Sequence, residues 1–388
     1  MTVLCVLAVP EHRLLCIADL GSSGTRMYLY DIEAPSLKKQ NTVPMIKTKA
    51  VFKNNTKGIS AFIHNPEEAA RYLLDLIHPL MTHTASLRAK TAQKTAQLHQ
   101  PPLIIHLFAT AGMRTFTVEK QAQLYQALEH RINHEGARKA DPFKFQVKIK
   151  TITGELEGVF AWLSVNYDQK TFQEHKQSVG IFDLGGQSTQ IAFELPVSES
   201  KTTTVYPLKI GDTLYAVYSR SLLNYGINSI YDNVQSNADS NSFSSCLSYN
   251  QDQFQYKGCK KVIQNYLESH PENQGPHLHA LTYPLKIQMK FIGLAGYHYY
   301  GHLFNVQDFE NLPLKVSKYC RWNRFSETHH DDKACFGGTY LDVLLHDIYH
   351  IPENYQQISA KRGNPSWTLG AALYISTYPD ALQSVGDT

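Results

Sequence analysis

The sequence predicts an α/β protein built as two duplicated lobes, on three observations. The stretch VGIFDLGGQSTQIAFE, Val179 to Glu194, runs from a buried strand through an acidic residue and two glycines into a second strand. CIADLGSSGTRMYLYDI, Cys16 to Ile32, repeats the design: with Asp19 laid on Asp183, the next Leu, the Gly at 21 and 185 and the Thr at 25 and 189 coincide. The copies lie 164 residues apart, a domain's length, which points to two related lobes rather than a short tandem array. Between and after them, short apolar runs alternate with segments of helical period.

Each copy carries the same chemistry. An aspartate ends a strand, and the small residues after it let the backbone turn so that its amides cradle anionic oxygens. A carboxylate beside an anion cradle calls for a divalent cation, which bridges carboxylate and phosphate and removes their repulsion.

Composition bounds the rest. The 388 residues suffice for two domains, and 43% apolar residues place the chain among ordinary globular proteins. A net charge of +3 is too small to argue for nucleic acid or a membrane surface, and no run of 18 apolar residues is present to span a bilayer. The first nine residues, MTVLCVLAV, lack a basic leader and read as a strand or the remnant of a trimmed leader.

In chain order, Arg26 to Ile32 continues the first turn as a strand, and further strands and loops run to about Ser60. Pro66, Glu67 and Glu68 open a helix over 66–82, with Ala70, Leu73, Leu74 and Ile77 at helical spacing. The polar segment 82–102 reads as a solvated helix extension or a loop. Leu103 to Phe108 is a buried parallel strand that empties into ATAGMRTF, where small residues surround Thr110 and Arg114; a helix follows over 118–134. Arg114 either pairs with a surface carboxylate or faces a cleft. Phe143 to Thr151 alternates as a half-solvated strand. Thr153 then caps a helix whose stripe is Leu156, Val159, Phe160, Leu163 and Tyr167. Glu155 and Glu157 point about 200° apart, so they cannot serve one site together, and the helix dipole alone accounts for Glu155.

Beyond the second turn, TTTVYPLKI and DTLYAVYSR alternate as strands and LLNYGINSIYDNV turns helical. Cys246, Cys259, Cys320 and Cys335 fall as two close pairs in what reads as polar loops. Two local disulfides in an oxidising compartment, four unrelated thiols and a zinc site are the alternatives; zinc prefers ligands two or three residues apart. Cys16 is an inert strand thiol. The aromatics of FIGLAGYHYYGHLF form core or stack on a base, and GNPSWTLGAALYISTYP ends the chain with a closely packing apolar helix.

Five stretches taken together, DLGSSGTR (19–26), ATAGMR (109–114), TGELEGVFAWLSVNY (153–167), DLGGQSTQIAF (183–193) and SWTLGAALY (366–374), resemble in order the hallmark regions of the nucleoside triphosphate diphosphohydrolases, the apyrase family. The paired cysteines and CFGGTYLDVLLHDIYHI also look like that family's second domain. The resemblance implies an actin-like (ribonuclease H-like) two-lobed α/β fold with a nucleotide cleft between duplicated lobes. The first lobe would span 1–160 completed by the C-terminal helix 364–388, and the second 161–363. It implies a secreted or otherwise extracytoplasmic enzyme, without a membrane span, that acts as a monomer on nucleoside tri- and diphosphates by direct water attack.

By the same resemblance, Asp19 and Asp183 would hold Mg²⁺ or Ca²⁺, largely through its water shell. Ser22, Ser23, Gly24, Thr25, Thr110, Gly185, Gly186, Gln187 and Ser188 would bind phosphates. Glu157 would activate water that Ser188 and Gln190 position, and Tyr349 is a candidate for stacking on the base. Gln187 departs from the family, where Ala is usual. The disulfides expected are Cys246 with Cys259 and Cys320 with Cys335. Two rival readings are an exopolyphosphatase or guanosine pentaphosphate phosphatase of the same fold, whose loops typically end in Glu where this chain has Gln190, and a nucleotide-binding scaffold that does not turn over.

Overall fold

The computed structural model describes residues 12–35, 43–95, 102–138, 144–196, 205–247, 254–269, 289–306, 309, 311–322, 333–352, 358–360 and 365–379. The expectations for the first nine residues and for Phe143 lie outside them. The chain divides into two compact units, unit 1 comprising 1–176, 207–215 and 366–388, and unit 2 comprising 177–206 and 216–365.

Unit 1 is organised on β1 (His12–Gly21), an apolar run buried from Leu15 onward, as a central strand covered on both faces must be. It pairs antiparallel with β2 (Gly24–Glu33), which pairs with β3 (Met45–Asn54), while α1 (Pro66–Thr95) follows. On its other side β1 runs parallel to β4 (Leu103–Ala109), giving the order β3-β2-β1-β4-β5. After β4 come the short α2 (Ala111–Arg114), α3 (Val118–Arg138), the edge strand β5 (Phe145–Thr151) and α4 (Gly154–Asp168).

Local chemistry sets the helix starts. Asn65 caps α1 by accepting from the Glu68 amide at 3.1 Å, and its side-chain amide donates to the Glu68 carboxylate at 3.2 Å, with Pro66 in the first turn. Thr153 caps α4 by accepting from the Leu156 amide at 3.1 Å. Helix α1 continues to Thr95, so the polar stretch after residue 82 is a helix extension as far as the described residues reach.

Unit 2 repeats the plan. β6 (Gly180–Leu184) pairs antiparallel with β7 (Ser188–Leu195). β8 (Val205–Ile210) and β9 (Thr213–Leu223) follow, the tip of their hairpin belonging to unit 1. Then come α5 (Ile227–Asn237), α6 (Ser240–Ser244), α7 (Tyr256–Ser269), β10 (Phe291–Ala295), α8 (Gly296–Leu303), α9 (Leu312–Trp322), α10 (Ala334–Asp342), a π-helical turn over Val343–Ile348 and β11 (Ile358–Ser359). β10 lies parallel to β6, and the sheet order is β11-β10-β6-β7-β9-β8.

Both disulfides form as paired, Cys246 to Cys259 and Cys320 to Cys335, and Cys16 is a buried free thiol. The surroundings differ from the loops expected. Cys259 lies in α7, Cys320 in α9 and Cys335 in α10, Cys246 just follows α6, and all four are fully buried. Apolar neighbours such as Phe243, Ile263, Val316 and Phe336 share their cluster, so the bridges tie helices into a core.

Helix α11 (Trp367–Thr377) belongs to unit 1 and packs on α4. The domain break expected at 160 therefore falls inside α4, which stays whole in unit 1 because α11 covers it. The Ser164 hydroxyl donates to the Ser366 carbonyl at 2.5 Å and accepts from the Gly370 amide at 2.8 Å. A Cβ at 370 would lie 1.9 Å from the Phe160 carbonyl oxygen, a backbone atom that cannot swing aside. Gly370→Ala is expected to cost about 1–3 kcal/mol or more of stability by overpacking, seen as a lower urea midpoint at unchanged slope. A wild-type midpoint would contradict this packing.

Candidate active site

In unit 1 the end of β1 gathers four ionisable side chains. Asp19 sits opposite Arg26 in the β1–β2 register, and the guanidinium donates to its carboxylate at 3.2 Å. One strand over, β4 delivers Thr110 and then Arg114 at the end of α2. The Arg114 Nε donates to the Ile152 carbonyl at 2.9 Å and its Nη2 to Glu157 Oε2 at 2.5 Å. These two residues meet because β4 and β5 pair in parallel, Ala109 beside Thr151, so the segments leaving both strands emerge side by side. Arg114 therefore pairs with a buried carboxylate rather than one on the surface.

Burial drives the Asp19 carboxyl up to about 7; Arg26 pulls it down and the charge of Glu157 pushes it up. Asp19 and Glu157 thus share one electrostatic environment. Thr25 is fully buried, and its hydroxyl has no partner among the described residues, as does Arg114 Nη1. Ser22 is half-buried and Ser23 exposed at the turn, and Gly24 takes a φ of +151°, which its side chain's absence permits against Asn54 and Asn55. Thr110 is 4% exposed, with its carbonyl accepting from the Met113 and Arg114 amides.

In unit 2 the same position of the repeat is neutral. Asp183 faces Gln190 across the β6–β7 pair, where Asp19 faces Arg26. Gln190 is buried and donates to the Ser188 hydroxyl at 2.7 Å and to that of Ser221 at 3.1 Å, so the expected Ser188 and Gln190 pair does come together. Thr189 donates to the Asp183 carbonyl at 2.8 Å, and its hydroxyl lies 3.1 Å from that of Tyr349. The turn closes with the Gly185 amide donating to the Ser188 carbonyl at 3.0 Å, leaving Gly185, Gly186 and Gln187 half-buried.

Tyr349, the candidate for stacking on the base, lies in the core instead. It is 4% exposed, its ring centroid lies 5.3 Å from that of Phe182, and it joins the unit 2 core, so it has no free face for a base. Tyr297 and Tyr300 of the aromatic stretch are likewise core.

The donor set suits a hard cation. Among the described residues no group of three or more His, Cys, Asp or Glu side chains is placed to hold a metal ion. Carboxylate and hydroxyl oxygens remain, with the buried Asp19 and the unpartnered Thr25 hydroxyl; Mg²⁺ or Ca²⁺ that keeps most of its water fits them.

A two-unit α/β protein of the actin-like fold, with one Asp-Leu-Gly turn per unit, is the class that this architecture defines. The description of the GDA1/CD39 (nucleoside phosphatase) family matches residues 6–386, and the chain belongs to that family. Nucleoside-triphosphatase ntp-1 of Caenorhabditis elegans is 26% identical over 93% of this chain and 72% of its own length. Ectonucleoside triphosphate diphosphohydrolase 5 of Gallus gallus is 27% identical over 95% and 87%. Among solved structures, nucleoside triphosphate hydrolases from Neospora caninum align with a TM-score of 0.59 at 14% identity, covering 95% of this chain and 93% of theirs.

The position of Asp19 carries a pH prediction. Its folded pKa lies above that of an unfolded carboxylate, so its stabilising contribution is complete below about pH 4 and falls as pH rises to about 7. With chelator present, the wild-type melting temperature should therefore fall relative to that of Asp19→Asn across this window. Parallel curves for the two proteins would contradict it.

Proposed function

We propose that this chain hydrolyses the terminal phosphoanhydride of nucleoside tri- and diphosphates by direct attack of water, with the Arg114–Glu157–Asp19 cluster beside the first phosphate turn as the observation that carries the reading. Glu157 takes the proton from the attacking water as the bond to phosphorus forms, and Arg114 holds one of its carboxylate oxygens in place. Ser188 and Gln190, joined by their hydrogen bond, orient the water. The amides of both turns, together with Ser22, Ser23, Gly24, Thr25 and Thr110, bind the phosphates and oppose the charge that develops on them. Asp19 and Asp183, at matching places in their turns, hold Mg²⁺ or Ca²⁺ through its water. When bound, that ion supplies neutralisation of the phosphate oxygens.

Two buried disulfides favour an oxidising compartment, and so a secreted, extracellular or lumenal location. No helix among the described residues is long and apolar enough to cross a membrane.

Phosphate release from ATP, ADP and polyphosphate, with and without EDTA, separates this reading from its rivals. Release from both nucleotides that stops in EDTA is expected. Polyphosphate alone as substrate points to an exopolyphosphatase, and no release at all to a scaffold. Glu157→Gln should lower turnover by roughly 10² to 10⁴ while ATP still binds, since the amide keeps the shape and cannot take the proton. Glu155→Gln should change little. Near-full turnover by Glu157→Gln would remove it from the role of base.

A further inference from the structure

The duplication extends beyond the two turns, to a pair of glycines that lie behind them. Lys57-Gly58-Ile59-Ser60 and Tyr225-Gly226-Ile227-Asn228 share a Gly-Ile step followed by a small polar residue. Gly58 stands immediately before a four-residue 3₁₀ turn, Ile59–Phe62, and Gly226 immediately before α5, with matching backbone, φ −74° and ψ 156° at Gly58 and φ −72° and ψ 158° at Gly226. A Cβ on Gly58 would lie 2.3 Å from the Ser22 carbonyl oxygen and 2.6 Å from its carbon; one on Gly226 would lie 2.3 Å from the Gly186 carbonyl carbon and 2.2 Å from the Gln187 nitrogen. Ser22 and Gly186 are equivalent in the repeat, so both glycines press on the same peptide of their turns. Neither glycine has a positive φ, so alanine would fit the backbone. What forbids it is contact with main-chain atoms.

In unit 2 hydrogen bonds add to the contact. The Ile227 amide donates to the Gly185 carbonyl at 2.9 Å, and the Asn228 and Ser229 amides donate to that of Gly186 at 2.9 and 3.2 Å. These are the first-turn donors of α5 that a helix leaves unpaired, and no side chain caps them. The Asn224 amide also donates to the Gln187 carbonyl at 2.8 Å. In a trans peptide the C=O and N–H point opposite ways. Carbonyls drawn onto α5 therefore turn the Gly186 and Gln187 N–H groups away from the helix, which is the orientation an anion cradle needs. In unit 1 the Tyr72 hydroxyl braces the segment before Gly58 at the Asn54 and Lys57 carbonyls, 3.0 and 2.9 Å away.

We propose that Gly58 and Gly226 are positioning residues for the two phosphate turns, and that α5 fixes the amide direction of the second by taking its carbonyls. This rests on the proposed nucleotide hydrolysis.

The test compares Gly226→Ala, Gly58→Ala and Ile227→Pro with a packing control, Gly301→Ala, whose Cβ would fall 2.5 Å from Ala360 rather than on a turn. Ile227→Pro deletes the donor to Gly185 at the first helical position, where proline is tolerated and the extended Gly226 before it already suits one. In ATP hydrolysis, kcat is expected to fall about ten- to hundredfold in the three turn variants, the cost of a small misplacement at the reacting phosphate. The control should lose melting temperature and keep kcat and KM. Wild-type kcat and KM in folded Gly226→Ala and Ile227→Pro would overturn the proposal, as would an equal fall of kcat in Gly301→Ala at a comparable loss of melting temperature. If Gly226→Ala does not fold, Ile227→Pro decides. Wild-type protein that hydrolyses no nucleotide refutes the proposed function instead, and calorimetric binding of ATP and inorganic phosphate by the same variants then decides the positioning.

Discussion

Backbone hydrogen bonds between β1 and β2 set Asp19 opposite Arg26 and Leu20 opposite Thr25; those between β6 and β7 set Asp183 opposite Gln190 and Leu184 opposite Thr189. Both hairpins use one register, displaced by the same number of residues along each strand. Side chains alternate with a period of two, so a slip of one residue would send each aspartate to the other face of its sheet. The slip would drive each aspartate into the face where Ala18, Leu20, Phe182 and Leu184 are almost fully buried. Hydrophobic burial thus fixes the position of the charged groups. The parallel neighbours β4 and β10 occupy corresponding places beside β1 and β6, so the loops after them emerge next to the turns.

What could be read from the sequence followed from local signals. The repeated Asp-Leu-Gly turns, the Thr153 cap and the helix phase that separates Glu157 from Glu155 each depend on residues a few positions apart. The Arg114–Glu157 pair could not be read in this way, because it arises from the β4–β5 pairing between residues 43 positions apart in the chain. Spacing also favoured a loop setting for the cysteines, since the polar residues around them dominate the composition. The helices there are short, and their buried faces rest on a few aromatic and aliphatic side chains that a composition reading dilutes. Tyr349 was assigned through the resemblance, from its place in the second-domain segment, and position in a family pattern does not show that Phe182 and Thr189 pack against the ring.

The two copies have kept their backbone and diverged in their side-chain chemistry. In unit 1 the residue across from the aspartate is Arg26, and Arg114 and Glu157 join it, so the turn lies in a dense field of opposed charges of low exposure. In unit 2 the residue across is Gln190, and the neighbours are the hydroxyls of Ser188, Thr189, Ser221 and Tyr349. Buried charges respond steeply to pH and to an added cation, whereas hydrogen bonds between neutral donors and acceptors hold their geometry across the same range. In the proposed reaction, proton transfer falls to the first copy through Glu157 and orientation of the water to the second through Ser188 and Gln190, while an aspartate from each copy serves the cation. The two turns share a register, and the residue across from the aspartate differs between them, Arg26 in the first and Gln190 in the second.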